Sequence, residues 1–169
     1  MVNVWRIHLQ ESPNYGEYCL KNNIAAMGWI LEKYNDKIQS GEIKIENYAD
    51  YASYAKKCHD KFNDVHRLAE EVKPGDFIWT CVNGKYYLAK VSSESKYHYN
   101  FSDEAIKYRA CNELTNIFWK FVGERKDIDE KICKKMEGYQ TFRRLVQEND
   151  PDLSAFLGYS DEIYEKISL

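Results

Sequence analysis

The sequence holds no pair of cysteines at CxxC spacing: Cys19, Cys58, Cys81, Cys111 and Cys133 are odd in number and widely separated. That spacing excludes a zinc ribbon and a thioredoxin-type centre, and makes the thiols small buried hydrophobes in a reducing, cytoplasmic compartment. No apolar run reaches membrane length and no secretory leader precedes Val4, so no membrane partner is expected. A GxSxG elbow, a GxxxxGK[ST] loop, an HExxH pair and a Gly-rich dinucleotide fingerprint are all missing. His8, His59, His66 and His98 are scattered, and His59 and His66 read as surface or packing residues. No catalytic residue, metal ligand or cofactor is therefore assigned. With neither repeats nor a polar linker, 169 residues read as one domain.

What is present is aromatic. Phe, Trp and Tyr make up 15% of the chain, with 14 Tyr and 4 Trp. Such side chains fill cores, and Tyr and Trp also line pockets for planar or cationic ligands. The net charge of -3 argues against a protein that coats nucleic acid without regard to shape. The charge is uneven, however. Residues 106–146 carry ten Lys or Arg against six Asp or Glu, and residues 147–169 carry one Lys against six acids. The basic segment is either a phosphate-facing side or a solvated face.

The strongest local signal is Val72 to Ser93, VKPGDFIWTCVNGKYYLAKVSS. Pro74-Gly75-Asp76 is turn chemistry, Phe77 to Val82 reads as a strand, Asn83-Gly84 suits a type I′ turn, and Tyr86 to Val91 runs back. Ahead of it, Asn3 to Leu9 reads as a strand carrying Trp5 and Arg6, and a break is expected at Pro13 to Gly16. Ile24 to Trp29 reads as a second strand ending in Gly28-Trp29. Glycine there admits close approach to the backbone, while the indole either walls a pocket or caps the core.

A short helix is expected over 30–39, and helical spacing continues through 47–58 and 60–72. After the hairpin comes the polar-aromatic stretch 92–102, then two strands over 105–115 and 117–122. Helices are expected over 129–136, capped by Asp129, and over 141–148, with a last short helix started by Ser160-Asp161 and ending at Leu169.

This order of elements, with PGDFIWTCVNGKYYLAKV at its centre and NIFWKFVGE after it, resembles the PUA-like superfamily and within it the EVE and YTH branch. The resemblance spans Val4 to about Val146. It implies an α+β fold, a strongly bent mixed barrel of five to six strands flanked by helices, with a helical insertion at 30–72 and a helical segment at 129–169. It also implies a reader that takes a modified, for example methylated, base of DNA or RNA out of the stack into an aromatic cage. Such a reader serves a bacterial restriction or defence system beside an effector nuclease or NTPase.

Trp29 falls where the family has its aromatic wall, and Trp79 lies at the pocket floor or the adjoining core. Trp5, Gly28, Tyr97 and Tyr99 complete the expected base pocket, with Tyr97, Tyr99 and Phe101 standing where YTH-type cages carry further tryptophans. Trp119 goes to the core. Arg6, Lys90, Lys96, Lys107, Arg109, Arg143 and Arg144 are the candidates for phosphate contacts, Arg109 first. Two rival readings stand beside this one: an ASCH-like ribonuclease, and an aromatic groove for a peptide or small molecule.

Overall fold

The computed structural model describes residues 1–9, 14–138 and 140–168, so residues 10–13, with the Pro13 start of the expected break, and residues 139 and 169 lie outside the described residues. In chain order the strands are β1 (Val4–Ile7), β2 (Ala25–Met27), β3 (Phe77–Val82), β4 (Lys85–Lys90), β5 (Tyr97–Tyr99), β6 (Asn112–Leu114), β7 (Lys120–Glu124) and β8 (Phe142–Arg144). The helices are α1 (Tyr15–Lys21), α2 (Asn35–Gln39), α3 (Tyr48–Cys58), α4 (Asn63–His66), α5 (Asp103–Lys107), α6 (Glu130–Met136) and α7 (Leu153–Ser168). A wide π turn, Arg67–Glu71, extends α4.

The fold is α+β, and among the described residues its strands make two open sheets rather than one closed barrel. Five strands run in the order β7-β4-β3-β1-β8 and three in the order β2-β6-β5. Among the described residues only β1 and β3 pair in parallel, and the other pairs are antiparallel. The β3-β4 hairpin closes through Asn83 and Gly84, whose φ angles of 51° and 75° are both positive, as a type I′ turn requires.

Asp76 fixes the approach to the hairpin. Its buried carboxylate accepts from the Asn3 amide (2.9 Å), the Trp5 indole Nε1 (2.8 Å) and the Lys73 amide (3.0 Å), which bolts the Pro74-Gly75 turn onto β1.

Alternation along β1 and β3 divides the core in two. Trp5, Ile7 and Ile78 join Tyr51, Leu68, Tyr99 and Phe142 in the larger cluster, which also takes in the three-stranded sheet. Val4, Phe77 and Trp79 face the other way, onto Ile132 and Met136 of α6 and Phe156 of α7.

Four stretches depart from the sequence reading. Residues 105–115 are not one strand: Ser102 accepts from the Ala105 amide as an N-cap and starts α5, with Asp103 and Glu104 in its first turn, so only β6 remains extended. Residues 141–148 are not a helix, because β8 pairs with β1, placing Phe142 opposite Ile7 and Arg144 opposite Trp5. The last helix begins at Leu153, not at Ser160. Ser160 sits inside α7, fully buried, and its Oγ accepts from the Trp79 indole at 3.0 Å. The strand expected over 117–122 is displaced to β7.

Candidate functional site

The Gly28-Trp29 corner leaves β2 at the point where Met27 pairs with Asn112 of β6. That register puts the buried Asn112 amide under the corner, where Nδ2 donates to the Gly28 carbonyl at 2.6 Å and, more loosely, to the Trp29 carbonyl at 3.4 Å. The Tyr51 hydroxyl donates to the Trp29 carbonyl at 2.7 Å. The Tyr97 hydroxyl donates to Asn112 Oδ1 at 2.7 Å, which fixes the amide's orientation. Burial pushes the Tyr51 and Tyr97 phenols well above their ordinary range, so both remain donors. Together these groups hold Trp29 at φ 53°, a left-handed conformation that a tryptophan adopts only when its surroundings impose it.

Beside the corner a cleft of about 470 Å³ opens, lined by Tyr15, Gly28, Trp29, His59, Tyr108, Arg109 and Thr141. The Tyr15 hydroxyl donates to the Ala26 carbonyl, one residue before the end of β2. His59, just past the end of α3, has Nε2 2.9 Å from the Ile30 carbonyl, so that nitrogen donates, and in the neutral ring Nδ1 is the acceptor. Tyr108 stacks on Tyr18 with ring centres 4.8 Å apart, and Lys107 Nζ lies 5.3 Å from the Tyr108 centroid. Arg109, itself at φ 54°, is exposed and reaches Glu32 at 3.3 Å. A Cβ on Gly28 would meet only the Arg109 carbonyl, at 3.6 Å, so the cleft does not depend on that glycine for backbone clearance.

A second groove, of about 360 Å³, is lined by Trp5, Arg67, Glu71, Gln140, Arg143, Arg144 and Gln147. Gln140 lines this groove and Thr141 lines the cleft, so consecutive residues bring the two together. Arg144 lies with its guanidinium 5.1 Å over the Trp5 ring and pairs with Glu71 (3.5 Å) and Glu148 (3.7 Å). Arg143 donates to the carbonyls of Lys135 and Glu137, and Arg67 pairs with Asp64 at 2.8 Å.

Of the residues expected from sequence, Gly28, Trp29 and Arg109 meet in the cleft, and Arg143 and Arg144 meet in the groove, with the buried Trp5 at its base under Arg144. The others lie elsewhere. Trp79, like Trp5, is fully buried, and their indole N–H groups are bonded to Ser160 and Asp76 respectively. Tyr97 stands behind the corner, and the buried Tyr99 accepts from the Leu31 amide at 2.9 Å.

Arg6 is buried and donates to the carbonyls of Met136 (2.8 Å), Gly138 (3.0 Å) and Gln140 at the exit of α6. Burial, and then the nearby Arg143, lower its pKa to about 10. Lys90 pairs with Asp161 at 3.3 Å beside the rings of Phe77 and Tyr164, tying α7 to the sheet. Lys96 is exposed just before β5. Sequence reasoning missed Tyr15, His59, Tyr108 and Thr141 as cleft residues and Asn112 as the group that sets the corner.

The chain matches, over residues 5–146, a family described as "Domain of unknown function (DUF8426)", and it belongs to that family. No curated protein and no solved structure matches it.

Proposed function

We propose that this DUF8426 domain is a PUA-like binding module that holds a modified base of a DNA or RNA strand in the Trp29 cleft, with the strand's phosphates toward Arg109 and the Arg143-Arg144 groove. The observation that carries the reading is the corner: a tryptophan kept in a left-handed conformation by a buried Asn112–Tyr51–Tyr97 network, at the edge of a cleft of about 470 Å³. A site of that size accepts a nucleobase with its sugar. Trp29 and Tyr108 offer rings for stacking, and His59 Nδ1 offers an acceptor for a base edge. Arg109 can exchange its exposed partner Glu32 for a phosphate at little cost, since exposed ion pairs are weak.

A free planar small molecule is the second reading. It is favoured by the net charge of -3 and by the carboxylate partners that Arg67 and Arg144 already hold.

Fluorescence anisotropy with short labelled strands, plain and modified, at two salt concentrations tests the proposal. The reading expects preference for a modified strand, weaker binding at high salt, and a loss of roughly tenfold or more in Trp29→Ala, since base–aromatic stacking is worth about 1–3 kcal/mol. Arg109→Gln should weaken all strands alike and flatten the salt dependence. Equal affinity for plain and modified strands across a broad panel contradicts a base reader. A co-purifying small ligand seen by native mass spectrometry, displaced by no oligonucleotide, supports the second reading instead.

A further inference from the structure

Successive residues of β6 point to opposite faces of the small sheet. Asn112 reaches under the Trp29 corner, and Glu113 reaches the other way, into a separate pocket of about 290 Å³. This pocket is lined by Tyr18, Ile24, Asn100, Glu113 and Phe118, and by a rim of Asn22, Asn23, Thr115 and Asn116. Glu113 is only 6% exposed, yet its partners are few: His98 Nδ1 at 2.9 Å on one oxygen and the Asn100 amide at a long 3.4 Å on the other. A carboxylate offers about four acceptor positions, so this one keeps capacity toward the pocket.

Two of the neighbouring asparagines add acceptors, whereas Asn100 has its Oδ1 taken by the Ser102 amide at 3.0 Å. The Nδ2 groups of Asn22 and Asn116 each give one of their two N–H donors to the carbonyls of Tyr18 and Glu94, both at 2.8 Å, while their amide oxygens keep acceptor capacity. No Lys or Arg stands among the described lining residues. Phe118, 56% exposed, is a large apolar ring held at the mouth of an otherwise polar pocket. Glu113 already holds His98, whose pKa the bond to this carboxylate raises, but its second oxygen has only the long Asn100 contact. Acceptor oxygens around that oxygen, with Tyr18 and Phe118 as ring walls, suit a compact cation rather than an anion or an apolar group.

We propose that this pocket is a second binding site, independent of the Trp29 cleft, that takes a small organic cation bearing a primary ammonium group. The ammonium donates to Glu113 and to amide oxygens of the asparagine rim, and its carbon chain lies against Tyr18 and Phe118.

Amide NMR titration of the full chain with n-butylammonium, n-butanol, butyrate and calcium tests this. The ammonium alone is expected to shift the Glu113, Asn100 and Asn116 resonances. Glu113→Gln should weaken that binding roughly tenfold or more, because hydrogen bonds to a charged acceptor are the strong ones. Phe118→Ala removes an exposed ring without touching the core and should weaken it several-fold, which keeps the test decisive should Glu113→Gln not fold. Equal shifts with butanol, binding of calcium in place of the ammonium, shifts centred on Gly28 and Arg109 instead, or unchanged affinity in Phe118→Ala would each overturn the proposal.

Discussion

Asn112 is the residue on which the corner turns. Its fully buried amide satisfies the Gly28 carbonyl in front of it and takes the Tyr97 hydroxyl behind it, both part-buried. Removing it in Asn112→Ala takes the partner from those two part-buried groups, at about 1–3 kcal/mol of stability. Urea unfolding is expected to show that loss as a lower midpoint with an unchanged slope. An unaltered midpoint would mean that the corner is held by something else. Asp76→Ala should cost more, on the order of 3 kcal/mol, because two buried donors and the part-buried Lys73 amide lose their acceptor at once.

At this scale the sequence was half legible. Gly28, Trp29 and Arg109 could be picked out because a Gly-Trp pair ends an apolar run and an arginine follows an aromatic stretch. His59 and Tyr108 could not, because both belong to chain turns just past helix ends, and only the tertiary fold brings them to the same hollow.

Among the elements, the hairpin was the most legible, since Asn83-Gly84 leaves the backbone little choice. Gly84 has φ 75° and open space around it, so Gly84→Ala meets no clash and its effect is conformational alone. A loss of about 1 kcal/mol is expected in thermal or urea unfolding, and a neutral result would show that the turn is not of the primed type.

Helix α7 tells the opposite story. Its register follows from the bond between Ser160 Oγ and the Trp79 indole, a contact 81 residues apart that no local pattern announces. Strand β8 is similar: Phe142, Leu145 and Val146 have helical spacing, but pairing with β1 buries Phe142 in a stack on Trp5 at 5.0 Å, and tertiary pairing overrides local periodicity. The Ser102-Asp103-Glu104 start of α5, by contrast, was readable as an N-cap with an acidic first turn and was hidden by the apolar run behind it.

For the whole molecule, the surplus of tyrosine has a consequence at high pH. Burial pushes the phenols of Tyr18 and Tyr86 up to about 12, raises those of Tyr48, Tyr51, Tyr97 and Tyr99, and pushes the Cys111 thiol up to about 12. In the unfolded chain thiols lose their protons near pH 9 and phenols near pH 10. Above those values the unfolded state binds fewer protons than the native state, so stability present at neutral pH is lost as pH rises. Arg6, lowered to about 10, acts in the opposite sense, but it is one group against many. Melting temperature is expected to hold level to about pH 9 and to fall steeply between about 10 and 12. A flat profile across that range would mean that these side chains titrate as exposed ones do.

The broad class was also legible at this scale: the chain is α+β, and among its described residues no helix is long and apolar enough to cross a membrane. The division of the strands into two open sheets was not, because it depends on which strands pair across long stretches of chain and not on any one strand's sequence.

The most direct test of the central claim follows the indole N–H resonances while short modified and plain strands are added. Trp29 is expected to move with the modified strand and much less with the plain one, whereas the buried Trp5 and Trp79, bonded to Asp76 and Ser160, stay in place. A Trp29 resonance that no strand of either kind displaces would contradict the account.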